Sequence, residues 1–514
     1  MAEYTKQIKI GAILAYVFIG LQLISGLVFT PFLLKSLGQE EYGLYSLIGA
    51  FVAYLSIMDF GIGSTITRYV AKYRAEEDEE SQNGFLATCI VLYLVIGFLV
   101  TLVGIFIYIN IETIFSNSVK ESQLPLAKTM LQILLCNIII SLVGYAYPAI
   151  ITAYEKHIFN KITDIGRLVL RVGVLVLLLS LGFKSLAIVI VDTCLNILIL
   201  FIKIIYVQLV LKTRIKLKLF SISIVKDIFS FSIFVFLANL INQVNLKLNL
   251  LVLGIVSDVV QISICSVAMM LVTYFTQFSQ AVSGMFLPAL TRLTASNTSM
   301  WSVENYAIRI SRIQIKLLTL ILVSFATLGS QFVILWVGRE YSRAYNVALL
   351  MMIAYYMPFT QTSLNALCLA LNRHKVRNSI YGICSIATLL LMIPLSKKYG
   401  ATGSAIATLI SMGVGYGIFI QGYYHKKIGI NMFRFIKESY LDTFIPAVIS
   451  FLVGVALTKI FIVSWGMFCL QAFVVFFTYI IPLWFIGMNK FERDLIMEPI
   501  RKVLYVKHKT RGIG

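Results

Sequence analysis

The sequence predicts an all-α integral membrane protein of about fourteen transmembrane helices, arranged as two six-helix bundles related by a parallel internal repeat, with two further helices at the C-terminus. Three observations lead there. The 514 residues are 59% hydrophobic and 13% charged, well outside the composition of a soluble domain. Apolar runs of about 20 residues, the length that spans hydrocarbon as a helix, follow one another with short polar breaks and leave no room for a sizeable soluble domain. Two motif pairs also recur at nearly one spacing. Gly38 in "LVFTPFLLKSLGQEEYGLYSL" matches Gly254 in "LKLNLLVLGIVSDVVQISICSV", and His157 in "AYEKHIFN" matches His374 in "ALNRHKVRN", offsets of 216 and 217 residues. Six helices separate the copies, so both halves share one orientation about an axis along the membrane normal. The expected domains are 1–220 (helices 1 to 6), 221–430 (helices 7 to 12), 431–490 (helices 13 and 14) and a basic tail, 491–514.

Taken in order, Lys6 and Lys9 precede an apolar run without a small-residue cleavage site, so 10–34 reads as a first helix and not a removed leader. Gln22 and Ser25 give it a weak polar face. Helix 2, 43–67, carries Asp59, Gly61 and Gly63, and the glycines can loosen or bend it. On a regular helix Asp59 and Arg68 lie about 180° apart, so both face one cavity only if a glycine breaks the geometry. Arg68 therefore reads as an inner-mouth anchor and Asp59 as the deeper polar group. "EEDEE" (76–80) is a solvated loop before helix 3, 84–110. The longest outside loop, 111–125, holds only Glu112 and Glu121 as acids before helix 4, 126–153.

Helix 5, 162–181, sets Asp164, Arg167 and Arg171 on one stripe, and helix 6, 185–211, does so with Asp192, Asn196 and Lys203. Helix 7, 227–253, contains "ANLINQVNLKLN", where Asn242, Asn245 and Asn249 fall at i, i+3, i+7 with Gln243 and Lys247 beside them; that face cannot look at lipid. Helix 8, 259–288, repeats the pattern with Thr273, Gln277, Gln280 and Gly284. The remaining apolar runs are 309–336, 344–371, 378–396, 401–424, 440–463 and 466–488.

Formal net charge is +20, and sorting it by membrane side removes the need for a nucleic-acid partner. With the N-terminus inside, inner loops and tails hold 29 Lys and Arg and outer loops hold 9, as cytoplasmic retention of basic residues requires. Both termini are then cytoplasmic. Arg167, Arg171, Lys203, Lys247 and Lys316 remain within helices. Interhelical hydrogen bonds account for lone Ser, Thr and Asn residues, and Asp164 with Arg167 reads equally as a local i, i+3 pair or as part of a cavity. Lys247 has no acid within a turn, and a charge at a helix centre costs about 3 kcal/mol, so water or an anion should meet it. Basic residues outnumber acids inside the helices, which favours a negatively charged cargo such as a phosphate or an acidic sugar.

Seven cysteines sit in apolar segments without metal or disulfide spacing and read as small core residues. His157, His374, His425 and His508 fall at inner helix ends or in the tail and read as surface residues. No G-x-x-x-x-G-K-[ST], H-E-x-x-H or nucleophile elbow occurs, so neither nucleotide hydrolysis nor another enzymatic activity is expected, and no cofactor.

"LGQEEYGLYSL" followed by "MDFGIGSTITRYVAKY", with "FLPALTRLTASN" (286–297) and "ILWVGREYSRA" (334–344), resembles the bacterial polysaccharide flippases, O-antigen and capsule repeat-unit translocases of the multidrug/oligosaccharidyl-lipid/polysaccharide exporter superfamily. The resemblance spans essentially the whole chain. It implies a multi-pass protein of the bacterial cytoplasmic membrane that moves an undecaprenyl-diphosphate-linked oligosaccharide to the outer leaflet by alternating access, with a cationic cavity between the bundles and membrane lipid around it. A polysaccharide polymerase and a chain-length regulator are the implied protein partners, and a proton or sodium gradient the candidate driving force. Related sequences often carry an acid near the end of helix 7, where this chain has Asn245 beside Lys247. The candidate cavity residues are Asp59, Arg68, Arg167, Arg171, Lys203, Asn242, Gln243, Asn245, Lys247, Gln277 and Gln280. The alternatives are a cation-coupled multidrug-type exporter on the same fold, which would hold more membrane carboxylates, and a membrane glycan polymerase or ligase, which would carry a long catalytic outer loop.

Overall fold

The structure, a computed structural model, describes residues 2–213, 247–295, 299–371, 373–459 and 464–495, together with positions 225, 228, 236, 240, 497 and 498. Every regular element among the described residues is a helix. In chain order these are α1 (Ala2–Ser56), α2 (Ile62–Ala75), α3 (Glu79–Ile114), α4 (Leu124–Gly144), α5 (Ala146–Ala153), α6 (His157–Ser180) and α7 (Ser185–Ile205). Then come α8 (Lys247–Val256), α9 (Val259–Ala295), α10 (Met300–Val337), α11 (Arg343–Thr360), α12 (Thr362–Ala370), α13 (His374–Val414), α14 (Met432–Thr458) and α15 (Trp465–Pro482).

Among the described residues nine helices are long and apolar enough to cross a membrane, ten if α11 and α12 form one span bent by 41°. The chain is a multi-span membrane protein. Two expected helix pairs are continuous across a kink, at Gly38 in α1 (φ 74°) and Gly400 in α13 (φ 57°). Most of the expected helix 7 lies outside the described residues; α8 is its end. Helix ends extend beyond the apolar runs: α6 starts at His157 and α10 at Met300, where 162 and 309 are expected. Hydrocarbon ends the apolar pattern there, while the backbone continues as helix into the polar boundary.

Breaks in the helices repeat with the sequence. Tyr145 separates α4 from α5 and Gln361 separates α11 from α12, 216 residues apart. The following helices end at Ala153 and Ala370, and the next begin at His157 and His374, both 217 apart. Pro148 cannot donate to the Gly144 carbonyl, which explains the first break. No counterpart exists for a third break: α9 runs unbroken through residues 275–277, whereas Ile57–Asp59 is a tight turn and Phe60 and Gly61 have φ of 53° and 73°. Gly61 is suited to that conformation; Phe60 is strained in it.

The chain packs as two compact units, Met1–Ser266 with Met392–Ser404, and Val267–Leu391 with Ala405–Gly514. In the first, α1 packs on α6 and α4, α2 on α5, and α4 on α3 and α7. Elements from the second repeat complete it. The Val259 carbonyl stands where a Cβ of Gly43 would go, and Leu47 fills the space beside Gly254. Ser118 Oγ donates to the Gly254 carbonyl at 2.7 Å and Asn117 Nδ2 to that of Ile255 at 2.8 Å.

In the second unit α10 packs along α14 and α11, and α14 on α15. A buried ion network ties them to the segment after α15. Arg312 donates from Nε to Glu492 at 2.7 Å and from Nη1 to Asp442 at 2.5 Å and to the Glu438 carbonyl at 2.7 Å. Lys316 donates to the same Glu492. Burial pushes the Glu492 carboxyl up, but Arg312 and Lys316 outweigh it and hold the group below its ordinary value.

The seven cysteines are free; Cys89, Cys265, Cys368 and Cys384 are buried as expected, but Cys136, Cys194 and Cys469 are exposed. Faces turned to lipid are as apolar as a core, so composition does not separate them.

Two outcomes follow. Gly43→Val forces the Val259 backbone away and is expected to cost about 1 to 3 kcal/mol of overpacking, read as a lowered melting temperature in detergent; an unchanged melt would show that the contact is loose. A depressed carboxyl adds stability above its unfolded pKa and loses it as pH falls through the folded value. Melting curves of the native protein and Glu492→Gln should therefore differ near neutral pH and converge as the solution is acidified below the ordinary glutamate range.

Candidate functional site

The first unit gathers the polar groups, and the helix-2 break positions the first of them. Asp59 ends the tight turn, accepts a hydrogen bond from the Tyr93 hydroxyl at 2.6 Å and faces the amides of Gly61 and Gly63. Those amides open α2 and have no helical partner of their own, so the carboxylate caps the helix that the break creates. Tyr93 is fully buried on α3. Arg68 lies beyond the break on α2, on an exposed face.

Two ion pairs join α6 to α7. Arg171 grips Asp192 through both nitrogens, Nε to Oδ1 at 2.5 Å and Nη2 to Oδ2 at 3.0 Å, with both side chains half-buried. Two turns earlier on α6, Asp164 pairs with the buried Lys203 at 3.3 Å and with Lys161 at 3.7 Å. Its partners are therefore these lysines and not Arg167. Between the pairs, Asn196 on α7 donates to Asn137 on α4 at 2.7 Å, an interhelical bond of the kind expected.

Asp164 and Lys203 line a cavity of about 670 Å³. The α1 wall consists of Gly11, Ala12 and Ala15, which leave the space open, while Thr152, His157 and Asn160 add polar groups. Asn160 Nδ2 donates to the Pro148 carbonyl and to Thr152 Oγ1, both at 3.1 Å, and its Oδ1 has no partner among the described residues. His157 is thus part of a cavity wall, where the sequence reads as surface. Neither Asn160 nor the cavity was visible in the periodicity; the available signal was the quoted "AYEKHIFN", which places both residues at one helix start.

Of the five basic residues expected inside helices, Arg171, Lys203 and Lys316 carry carboxylate partners. Arg167 and Lys247, both half-buried, have none among the described residues; Arg167 lies in the field of Tyr145 and Lys247 in that of Cys265. On the second unit's part of α9, Gln277 is half-buried with an unpartnered Oε1 among the described residues, and Gln280 is exposed. Asn242, Gln243 and Asn245 lie outside the described residues. No group of three metal-ligating side chains occurs among those described.

The family described as "Polysaccharide biosynthesis protein" matches residues 11–294, more than half of the chain. The chain belongs to that family. Another similar sequence, "Putative O-antigen transporter" of Salmonella typhi, is 32% identical over 71 residues, 14% of this chain and 15% of that relative. Among solved structures, the lipid II flippase MurJ in an inward closed conformation aligns with a TM-score of 0.68 at 17% identity, covering 95% of this chain and 99% of that one. An inward-facing multidrug resistance MATE transporter of the MOP superfamily aligns with a TM-score of 0.58 at 15% identity, covering 79% and 95%. At these identities the likeness establishes the shared fold.

Removing one member of the α6–α7 pair strands the other. Arg171→Ala and Asp192→Ala are each expected to cost about 1 to 3 kcal/mol, less than a fully buried pair because both side chains are partly exposed. The double variant should cost clearly less than the two losses together. Melting temperatures of all four proteins in detergent give the coupling, and strict additivity would show that the pair is not formed.

Proposed function

We propose that this chain is a flippase that carries an undecaprenyl-diphosphate-linked oligosaccharide repeat unit from the inner to the outer leaflet of the cytoplasmic membrane, by alternating access, for surface polysaccharide biosynthesis. The observation that carries this reading, beside family membership, is the distribution of charge. Asp59, Asp164 and Asp192 are each occupied, by Tyr93, Lys203 and Arg171. Arg167 and Lys247 stand without carboxylates among the described residues. Free cations and engaged acids suit an anionic diphosphate and disfavour a cationic drug, which would need an available carboxylate. The mixed hydroxyl, amide and charged lining of the α1–α6–α7 cavity suits sugar hydroxyls in the same way.

In this reading the diphosphate meets Lys247 or Arg167, polar helix faces bond the glycan, and the prenyl tail stays in lipid. The chain performs no covalent step. Deleting the gene should abolish surface glycan while the lipid-linked repeat unit accumulates on the inner face. Lys247→Ala should lower export roughly tenfold, the effect of losing about 1.5 kcal/mol of charge-assisted contact, with the protein present at normal level. Intact surface glycan after deletion, with no accumulated intermediate, would overturn the proposal.

A further inference from the structure

The second unit holds a cation that the charge count from sequence assigns to an inner loop. Arg377 lies in the first turn of α13 and is half-buried at the edge of a tyrosine-rich core. Its Nε donates to the Tyr424 hydroxyl at 3.1 Å, one Nη1 hydrogen goes to Asn378 Oδ1 at 3.3 Å, and the guanidinium lies 5.8 Å from the Tyr381 ring centre. Tyr424 is fully buried, and its hydroxyl stands 3.5 Å from that of Tyr416. An arginine has five N–H donors, so most of this fork is unused. Among the described residues no carboxylate interacts with it; the groups in its field include Tyr424, Tyr416, Tyr381 and Cys368.

Stability does not account for the residue. The first turn of a helix favours acids and disfavours cations, yet α13 has no acid there. A half-buried guanidinium held only by neutral phenols and an amide has lost water without gaining a counter-charge. Arg373, exposed and bonded to the Lys427 carbonyl, adds a second positive charge, since both arginines act on the buried Cys368. The tyrosines hold Arg377 from one side and fix the fork, and a planar fork with unused donors matches phosphate oxygens.

We propose that Arg377, supported by Arg373 and oriented by Tyr424, is a phosphate-binding site on the second unit that takes the diphosphate of the polyprenyl-linked cargo. The site rests on the flippase reading for the source of the phosphate, not for its chemistry. Its position, at the end that the basic-residue split places in the cytoplasm, is where such a cargo would first be met.

The test is equilibrium binding to the full-length protein purified in detergent, with farnesyl diphosphate, inorganic pyrophosphate and phosphatidylglycerol as separate probes. Three variants are compared with the native protein: Arg377→Gln, Arg377→Lys and Asn378→Asp. The last keeps the arginine and sets a carboxylate where an amide oxygen already lies 3.3 Å away, so it should satisfy the fork internally without endangering the fold. Arg377→Gln and Asn378→Asp are each expected to weaken farnesyl diphosphate binding at least tenfold, with Arg377→Lys between them and the native protein. Pyrophosphate should compete for the native site. Native-like farnesyl diphosphate binding in Asn378→Asp, or in a folded Arg377→Gln, would overturn the proposal. A loss confined to phosphatidylglycerol would also overturn it, by making the site a contact for bulk membrane lipid. If deletion of the gene leaves surface glycan intact while farnesyl diphosphate still binds through Arg377, the flippase reading falls and the phosphate site stands.

Discussion

An ionised side chain taken from water into a bundle of apolar helices loses several kcal/mol of solvation unless another protein group replaces the water. In the first unit that requirement fixes how α6 and α7 lie against each other. Asp164 and Arg171 are two turns apart on α6, and their partners Lys203 and Asp192 are three turns apart on the antiparallel α7. In these two pairs each helix contributes one acid and one base, and each acid meets a base of the other helix. Sliding α7 would separate both pairs together and, according to direction, bring Asp192 toward Asp164 or Lys203 toward Arg171. The two bonds thus specify register as well as adding attraction. The same rule holds in the second unit, where Arg312 and Lys316 on α10 share Glu492 and so anchor the segment after α15.

Backbone groups obey a parallel rule, since a broken helix in hydrocarbon exposes amides and carbonyls that lipid cannot satisfy. The two breaks in the first unit are each closed locally. Asp59 covers the amides that open α2, and the Tyr145 amide turns back to the Ser141 and Leu142 carbonyls. The α2 and α5 segments that follow these breaks pack on each other. Asp59 is therefore a side-chain cap at this break, with the Tyr93 hydroxyl as its second partner. Removing it would leave the start of α2 and the Tyr93 hydroxyl unpartnered together.

The fold class, the repeat and the helix-2 break were legible in the sequence because each depends on order along the chain: apolar run length, a recurring offset, a pair of glycines beside a polar residue. The ion pairs were not. Asp164 could be read with Arg167 at i, i+3, and it binds Lys203, a residue 39 positions away; which helix face meets which is set by packing, and one-dimensional periodicity does not contain it. His157 and the cavity beside it were missed for a related reason. A surface reading of a helix-end histidine is sound on composition, and only the small residues Gly11, Ala12 and Ala15, on a helix far away in sequence, leave room for a cavity there. The exposed Cys136, Cys194 and Cys469 show the converse limit, since a lipid-facing thiol and a core thiol look alike in sequence.

The repeat also shows how the two halves diverged at one corresponding place. At the offset of 217 defined by the histidines, Asn160, Asp164 and Lys203 correspond to Arg377, Tyr381 and Ile420. In the first half Asp164 is bonded to Lys203 and to Lys161 beside the cavity, two bases to one acid. In the second half the base has gone, the acid has become a phenol, and a guanidinium has appeared where the first half has an amide. Tyrosine hydroxyls can orient a guanidinium but cannot neutralise it, whereas the first half sets a carboxylate between its two lysines. A duplicated scaffold thus carries different polar groups at corresponding helix starts, a carboxylate held by lysines in one half and a guanidinium held by a phenol in the other.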